Sequence, residues 1–347
     1  MGKVMVIGMD LGDENHKVIG LSESGEIVLR EEVPCTPAGV RALLKAHPDA
    51  LLAVETGTHC RWVSRVGLEL GREVLVGNAR KLRVIWESSR KNDWRDAEML
   101  AKVARADRSL LHPVKLRGDG DQGLMRLVKA RDLLVKGRTG VVNQLRGFCK
   151  SEGAPLRKCS AASFPRLKGD VPPAVREVAK PLFAVLEELS KKIGLYDAMI
   201  ADAVRRLHGE EAALLEPIAG VGPVTAAAFL AAVGDPATFG SARDAGPYFG
   251  LAPARDQSGG KDPQKKISKE GNALVRRLLV TASSYIMGPF GPDCDLRRHG
   301  LRIAERGGMN ARKRARVAVA RKLAVLMLAI LRDKSEYRPL TKAEAVA

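Results

Sequence analysis

The first hundred residues alternate short apolar runs with segments of helical periodicity, and this alternation constrains the fold more than any other feature of the chain. Runs such as VMVIG and LLAV have the length and the β-branched content of buried strands. Residues 16–33 alternate around a Ser-Gly turn, as the strands of a β-hairpin do. Segments 37–48 and 60–71 carry apolar residues at helical spacing. Strands that alternate with helices form a sheet with helices on its faces, so we predict an α/β domain at the N-terminus.

The rest of the chain has the pattern of helices. Apolar residues recur at three- and four-residue spacing from about 121 to 215, with a break that contains Pro and Gly at 153–173. This pattern predicts a helical, coiled-coil-like arm whose Leu and Val stripes serve packing. A mostly helical domain follows the arm. We therefore predict three domains, at 1–120, 121–215 and 216–347.

The third predicted domain begins with a glycine turn between two apolar segments, Gly220-Val221-Gly222-Pro223. In a helix-hairpin-helix element, a tight turn of this kind exposes backbone N–H groups to a phosphate. An ordinary turn between two packed helices has the same spacing. The residues alone leave both interpretations open.

The charge balance indicates the class of partner. Lys and Arg total 58 against 40 acidic residues, which gives a formal net charge of +18 and a pI near 9.9. A polyanion is the natural partner of such a chain, and nucleic acid is the leading candidate. Ribosomal and other purely structural nucleic-acid binders share this balance, so the charge predicts a partner and no activity.

Other classes of protein fit the sequence poorly. No stretch approaches the roughly 20 apolar residues that a membrane-spanning helix needs. The N-terminal apolar run is followed at once by acidic residues, so it predicts a strand and not a signal peptide. The five cysteines are scattered and never form a C-x-x-C pair, which argues against disulfides and structural zinc. We expect a cytoplasmic protein without a membrane partner.

Four carboxylates have positions that suit a metal site. Asp10 and Glu55 each end a predicted apolar strand, while Asp93 and Asp96 lie three residues apart on one face of a predicted helix. If neighbouring strand ends and the helix bring these groups together, their charges repel and raise their own pKa values. Divalent cations relieve that repulsion, and Mg²⁺ prefers carboxylate oxygens together with water and phosphates. Two such ions about 4 Å apart activate an attacking oxygen and stabilise a leaving one.

Each of these residues also has an ordinary explanation. Asp10 fits a turn residue or the phosphate-site Asp of an actin-like sugar kinase. Glu55 fits a cap of the next segment, and Asp93 fits a helix N-cap. The pattern alone leaves these alternatives open.

Longer blocks of sequence identify a family resemblance. The chain resembles the DEDD transposases of insertion sequences, the IS110/IS1111 group, whose members act as RNA-guided recombinases. The blocks follow the family's order and span nearly the whole chain. They are IGMDLG, AVETGT, KNDWRDAEMLAKVAR, NQLRGFCKSEG, LLEPIAGVGPVTAAAFLAAVGD, GLAPARDQSGGKDPQKKISKEGNALVRRLLV and ARVAVARKLAVLMLAIL.

The resemblance implies a fold and a catalytic site. It implies a RuvC-like, RNase H-type N-terminal domain, a coiled-coil-like arm and a C-terminal transposase domain. It also implies that Mg²⁺, with Mn²⁺ as the alternative ion, is bound by four carboxylates: Asp10, Glu55, Asp93 and Asp96. One departure is that Asn92 stands where the family more usually has Thr or Ser.

The family's second catalytic residue is a serine in a loop after the GL-(A/T)-P motif, and Ser258 matches it. Without the resemblance, a Ser-Gly pair in a loop would be assigned to a turn. With it, Gly259 and Gly260 let the backbone approach a phosphate closely. A serine that attacks a phosphodiester becomes covalently joined to the DNA and conserves the bond energy. A new strand's hydroxyl then displaces the serine, so rejoining needs no nucleotide cofactor.

Basic residues in the third predicted domain are candidates for nucleic-acid contact, because cations there outnumber acids and neutralise phosphates. The predicted set is Arg255, Lys261, Lys265, Lys266, Lys269, Arg276, Arg277, Arg312, Lys313, Arg314 and Arg316. The resemblance implies that the nucleic acids are donor and target DNA and a guide (bridge) non-coding RNA, whose base pairing reads the sequence. It further implies a homo-oligomer in which dimers assemble into a tetramer.

Three rival functions use some of the same features. A Holliday-junction endonuclease of the RuvC type would use the four carboxylates with water as nucleophile and leave Ser258 idle. A non-enzymatic architectural protein would need only the charge, and the intact carboxylate set argues against it. An actin-like sugar kinase lacks support, because the chain has no Gly-rich phosphate loops. We therefore predict a transposase.

Overall fold

The structure is a computed structural model that forms two compact units, Met1–Leu116 and Arg117–Ala347. The first unit contains every strand among the described residues, and the second unit is helical. The described residues are 2–82, 92–254, 265–308 and 310–340.

The first unit is built on a five-stranded mixed sheet. Its strands are β1 Val6–Asp10, β2 Asn15–Leu21, β3 Ile27–Pro34, β4 Leu51–Glu55 and β5 Val74–Gly77. Its helices are α1 Pro37–Ala46, α2 Cys60–Glu69, α3 Ala79–Leu82 and α4 Asp93–Ala106. The strand order is β3-β2-β1-β4-β5, with β1, β4 and β5 parallel and the β2–β3 hairpin antiparallel. This mixed sheet is consistent with an RNase H-type domain.

The two faces of the sheet are covered by different helices, and strand alternation decides which side chain points to which face. Ile7 and Met9 of β1 pack in a core with α1 and α2. Val6 packs on the other face, in the core that contains α4. Asp10 lies four residues after Val6 on the same strand, so its side chain points to the same face and towards α4. By the same rule Glu55 faces α4, because Ala53 of β4 lies in the α4 core.

Gly8 allows α4 to lie directly on β1. A Cβ atom at position 8 would lie 2.1 Å from the carbonyl oxygen of Ala97 and 2.5 Å from the backbone nitrogen of Ala101. The two alanines are one helical turn apart on the same face of α4, and both are fully buried. The strand and the helix therefore touch through backbone and methyl groups, which fixes the start of α4 beside the end of β1.

The second unit contains long helices and a compact C-terminal core. Its helices are α5 Asp119–Ser151, α6 Pro173–Leu215, α7 Pro223–Val233, α8 Ala245–Tyr248, α9 Ala273–Ile286, α10 Asp295–Glu305 and α11 Ala311–Asp333. Helices α5 and α6 run antiparallel, since Arg131 bonds Asp197 and Arg138 bonds Ser190 farther along. Helix α6 is broken at His208, whose backbone leaves helical geometry. There the ring Nε2 lies 2.6 Å from Asp121 Oδ1 of α5.

The glycine turn between α6 and α7 is packed against the protein on one side. Gly220 has a φ of +79°, which strains other residues, and a Cβ there would lie 2.8 Å from the carbonyl oxygen of Ala282 in α9. Helix α7 is buried along nearly its whole length. These contacts give Gly220 a structural role. A phosphate-binding role for the turn stays a prediction.

The predicted elements agree with the observed ones over most of the chain. The β-hairpin, the three flanking strands and the helices at 37–48 and 60–71 are confirmed, as is the break between the two long helices. None of the helices in the part of the chain that the structure describes is both long and apolar enough to span a bilayer. The division into three domains stays a prediction.

Candidate active site

The last residues of two adjacent parallel strands, β1 and β4, contribute the first two carboxylates of the candidate site. Strands β1 and β4 pair in register up to Met9 and Val54, so Asp10 and Glu55 follow side by side. Neighbouring strands lie about 4.8 Å apart. Both side chains face α4 and both are partly buried. The expectation that these two carboxylates meet at one sheet edge is met by the geometry.

Helix α4 supplies two more carboxylates from its first turn. Its N-cap is Asn92, whose side-chain oxygen accepts a hydrogen bond of 3.0 Å from the backbone N–H of Trp94. Asp93 is therefore the first helical residue and not the cap, which removes that alternative for it. Asp96 follows one turn later on the same face. Acidic groups in this turn are favoured by the helix dipole, even without a metal.

The carboxylates converge. One oxygen from each of Asp10, Asp93 and Asp96 lies within 4.8 Å of the other two. Burial, and then the charges of Asp93, Glu55 and Asp96, raise the pKa of Asp10 from 3.8 to about 6. The charge of Glu55 also raises the pKa of Asp10, although Glu55 does not belong to the group of three carboxylates whose oxygens lie within 4.8 Å of one another. The backbone N–H of Leu11 acts in the opposite direction and lowers the pKa of Asp10.

The donor set fits a hard divalent cation. All the donors are carboxylate oxygens, which suits Mg²⁺ and Mn²⁺ better than softer metals. Burial, and then the neighbouring carboxylate charges, raise the pKa of Asp10, and a bound cation would offset that repulsion. Asp10, Glu55, Asp93 and Asp96 would hold the ion. Asp93 is exposed, which leaves that side of the cluster open to a substrate.

A basic residue on the strand next to Asp10 was missed by sequence analysis. Lys17 pairs directly with Asp10 across the antiparallel β1–β2 ladder, so the two side chains share a face. The Lys17 ammonium bonds Glu32 of β3 and lies 5.2 Å from the ring centre of Trp94. Arg30 lies over the same ring at 4.6 Å. The signal that would have found Lys17 is the register of β1 with β2, which sequence analysis left unassigned.

A second group of polar side chains joins the loop that follows β1 to the start of α2. His59 accepts a hydrogen bond at Nδ1 from Trp62 Nε1 (3.1 Å). Its Nε2 therefore carries the proton, which it donates to Asp13 Oδ1 (2.8 Å). Burial, and then the nearby His59, lower the pKa of the His16 imidazole. These contacts join the loop after β1 to the start of α2, and thus hold together the loops that follow Asp10 and Glu55.

The predicted nucleic-acid contacts fall into two groups, and the first lies near the start of α9. Lys265, Lys266 and Lys269 are exposed. Arg276 donates to the carbonyl oxygens of Phe249 (3.0 Å) and Glu270 (2.8 Å), so its guanidinium also serves the fold. Arg277 is exposed and bonds Asp132 of α5.

The second group lies at the N-terminal end of α11. Arg312, Lys313, Arg314 and Arg316 are all exposed, and the first turn carries no acidic residue. Cations at a helix N-terminus add to the positive end of the dipole, which is unfavourable for the isolated helix. An anion there would be stabilised by both the dipole and the side chains.

Three predicted residues, Arg255, Ser258 and Lys261, lie outside the described residues. The described chain on either side of them is paired. The backbone N–H of Ala254 donates to the carbonyl oxygen of Lys266 (2.9 Å), and the N–H of Ser268 donates to the carbonyl oxygen of Ala252 (2.9 Å). The chain therefore enters and leaves this segment through a short antiparallel pair.

Two family models match the chain. A DEDD transposase model of the IS110 group, described as "Transposase", matches residues 7–151. A model described as "Transposase IS116/IS110/IS902 family" matches residues 212–292. The first match contains all four carboxylates and the second contains the segment with Ser258.

Individual relatives cover most of the chain. It is 27% identical to a transposase for insertion sequence element IS1111A of Coxiella burnetii, over 97% of this chain and 92% of that protein. It is 28% identical to a transposase for element IS1328 of Yersinia enterocolitica, over 83% and 85%. A shorter match, 31% identical over 36% of this chain and 38% of the other, is to a pilin gene-inverting protein of Moraxella bovis.

Proposed function

The chain belongs to the IS110 family of transposases, and on that premise we propose that it cuts and rejoins donor and target DNA through a covalent phosphoserine intermediate. The carboxylate cluster of the first unit supports metal-dependent DNA cleavage, because one oxygen from each of Asp10, Asp93 and Asp96 lies within 4.8 Å of the others. The serine step is proposed from the family resemblance. The net charge of +18 supports a nucleic-acid substrate.

The proposed exchange conserves phosphodiester bonds. The Ser258 Oγ–P bond forms as one P–O ester bond of the DNA breaks, and the departing strand end leaves as a hydroxyl that receives the serine proton. A hydroxyl of the partner strand then attacks the phosphoserine, and Ser258 recovers its proton. The number of P–O ester bonds stays constant, so no nucleotide cofactor is consumed.

The carboxylates bind and orient in this proposal. Asp10, Glu55, Asp93 and Asp96 would hold the metal, which would supply positive charge beside the scissile phosphate. Lys17 lies beside Asp10 and offers an ammonium to the same phosphate.

The partners follow from the family and the charge. We propose donor and target DNA as substrates, a guide RNA that reads their sequence by base pairing, and an assembly of dimers into a tetramer. The relative named for pilin gene inversion supports rejoining over simple cutting, since an inverted segment must be resealed. A cytoplasmic location belongs to the same proposal, because the DNA would be there.

Strand cleavage tests the assignment of the carboxylates. The full chain is mixed with DNA that carries the ends of its element, with RNA transcribed from the element's flanks, and with Mg²⁺. Asp93→Asn should abolish cleavage, while Glu98→Gln should leave it intact. Glu98 is the matched control because it lies on the same helix and bonds Lys102 away from the cluster. Equal cleavage by the two variants would refute the site.

A hydrolytic nuclease is the second candidate, because the described residues include the carboxylates that such an enzyme needs. It would attack with water and leave Ser258 without a role. The two candidates differ in one product, a covalent link between protein and DNA.

A further inference from the structure

One aromatic side chain is exposed to an unusual degree. Phe290 is 86% exposed, the highest value among the large apolar side chains that are exposed in the described residues. Tyr285, five residues earlier, is 51% exposed. Aromatic residues make up only 4% of the chain, and the other described phenylalanines include four that are fully buried, among them Phe229 and Phe249. The exposure of Phe290 therefore contrasts with the burial of these four phenylalanines.

Phe290 lies at the tip of a tight turn that the sequence specifies. The backbone N–H of Gly291 donates to the carbonyl oxygen of Gly288 (3.2 Å), which closes a four-residue turn. Pro289 occupies the second position, where its fixed φ is favoured, and Phe290 occupies the third. A Cβ at position 291 would lie 2.2 Å from the carbonyl oxygen of Ile286. Only glycine lets the chain fold back this closely.

The turn is anchored from outside by helix α10. Arg297 Nη1 donates to the carbonyl oxygens of Ile286 (2.7 Å) and Gly288 (2.5 Å). A Cβ at Gly300 would lie 2.9 Å from Met287 Sδ, so the residue before the turn also packs against α10. These contacts hold the backbone below Phe290 while its ring stays in solvent. A ring on a fixed backbone loses little conformational entropy when a partner covers it.

The surroundings of the turn favour an anionic partner. Helix α10 presents Arg298 and Arg302 to solvent, and the exposed Arg306 follows its last residue. Arg298 and Arg302 are one helical turn apart on the same face, and Arg298 also bonds Asp293 beside the turn (2.6 Å). A second copy would present the same arginines to this surface, and like charges repel. Charge complementarity therefore favours nucleic acid over self-association.

We propose that Phe290 forms a platform on which an unpaired base of DNA or RNA stacks, while Arg298 and Arg302 of α10 neutralise the flanking phosphates. A base π-face suits an exposed aromatic ring, and such stacking tolerates any base. The platform rests on the proposed function in one respect, the choice of nucleic acid as the partner. Neither Ser258 nor the carboxylates take part in it.

Binding to probes with and without bases tests the platform. Anisotropy titrations of the full chain in EDTA use three labelled strands of one length: oligothymidylate, oligouridylate, and an abasic chain of sugar-like phosphodiester units. Phe290→Ala should weaken binding to a base-containing strand about tenfold and leave the abasic strand unchanged. The strand that loses more affinity, thymidylate or uridylate, identifies DNA or RNA as the source of the base.

Three further variants make the test specific. Phe290→Trp should retain the preference for bases, whereas Phe290→Leu should lose it although the side chain stays apolar. Leu133→Ala is the control, because Leu133 is 69% exposed on α5 and lies far along the chain. Arg302→Ala should weaken binding to all three strands alike, since it removes a phosphate contact.

Several results would overturn the platform. They are an absent base preference in the unsubstituted chain, an equal loss on the abasic strand with Phe290→Ala, and no loss at all. A fall in mass by light scattering with unchanged affinities would show that Phe290 docks a second copy instead. Because EDTA prevents cleavage, the test is independent of catalysis. An absent base preference in the unsubstituted chain, with cleavage intact, overturns the platform alone. Absent cleavage, with a base preference that depends on Phe290, overturns the proposed function alone.

Discussion

Asp10 is surrounded by the negative charge of three other carboxylates and is partly removed from solvent, so its ionisation is costly in the folded chain. Its pKa is raised to about 6, whereas the unfolded value is near 3.8. Below about pH 4 the group is protonated in both states and contributes nothing. Between about 4 and 6 the unfolded chain has released the proton that the folded chain still holds, so stability falls as the pH rises. Above about pH 6 Asp10 is ionised in both states, and the folded chain carries the full free-energy cost of that charge.

Removing the charge of Asp10 should therefore change the pH dependence of stability. In the presence of a chelator, Asp10→Asn should become progressively more stable than the unsubstituted chain as the pH rises from about 4 to about 6, and the difference should then level off. Urea unfolding of both proteins across this range measures it. The comparison cancels the opposite contribution of His16, whose lowered pKa makes acid destabilising. If the free energies of unfolding of the two proteins changed with pH in parallel, the role of the Asp10 charge would be contradicted.

Lys17 is the second residue whose role can be measured. Its ammonium lies on the same face as Asp10, and a charge-assisted hydrogen bond to a phosphate contributes enough to change a rate about 10- to 100-fold. Lys17→Ala should slow Mg²⁺-dependent strand cleavage by that factor, and Lys17→Arg should recover part of it. Lys45→Ala in α1 is the control, since it removes the same charge at another exposed position of this unit. Unchanged cleavage by Lys17→Ala would exclude the role.

At the scale of secondary structure, the contact between β1 and α4 decides whether the site exists. The backbone of Gly8 touches Ala97 and Ala101, and this contact brings the first turn of α4 beside the end of β1. The first turn is fixed separately by the Asn92 cap, which satisfies the N–H of Trp94. Asn at this position is as good a cap as the Ser or Thr more usual in the family, so the departure leaves the helix start intact.

Gly8→Ala should separate the strand from the helix. The added Cβ would lie 2.1 Å from a backbone oxygen that cannot move without α4, so overpacking should destabilise the protein by about 3 kcal/mol. We expect Mg²⁺ to raise the melting temperature of the unsubstituted chain and to lose this effect in Gly8→Ala.

Gly57→Ala is the matched control for this substitution, because no atom lies within 4 Å of the Cβ that it adds. It should melt close to the unsubstituted chain and keep the response to Mg²⁺. If Gly8→Ala also kept that response, the carboxylate geometry would not depend on the β1–α4 contact.

The elements differ in how far the sequence predicts them. Short apolar runs predict the strands of the first unit, and apolar residues at three- and four-residue spacing predict α5 and α6. Both patterns can be read from neighbouring residues alone. Positions that depend on a distant backbone are different. The break in α6 at His208 depends on Asp121, more than eighty residues away, so no local signal shows it.

At the scale of the whole molecule, the candidate site was predictable in part. Asp10 and Glu55 end strands, and Asp93 and Asp96 share a helix face, so local rules place all four. Lys17 depends on strand register, and sequence analysis did not assign it.

The exposure of Phe290 lies further beyond sequence analysis. Phenylalanine is buried in most proteins, and the Gly-Pro-Phe-Gly turn gives no hint that its ring faces solvent. The role of Ser258 came from the family resemblance alone, because a serine between polar and glycine residues resembles any turn.

The proposed function assigns one reaction to two sets of chemical groups, the carboxylates near the N-terminus and Ser258 in the C-terminal half. Covalent capture of DNA tests the central claim most directly. Labelled donor and target DNA, flank RNA and Mg²⁺ are incubated with the protein, and denaturing gels reveal protein-linked DNA. We predict an adduct that is lost in both Ser258→Ala and Asp93→Ala and is retained in Ser151→Ala, a change at an exposed serine of α5. Cleavage that survives Ser258→Ala without an adduct, but is lost in Asp93→Ala, would contradict the account and show a hydrolytic nuclease.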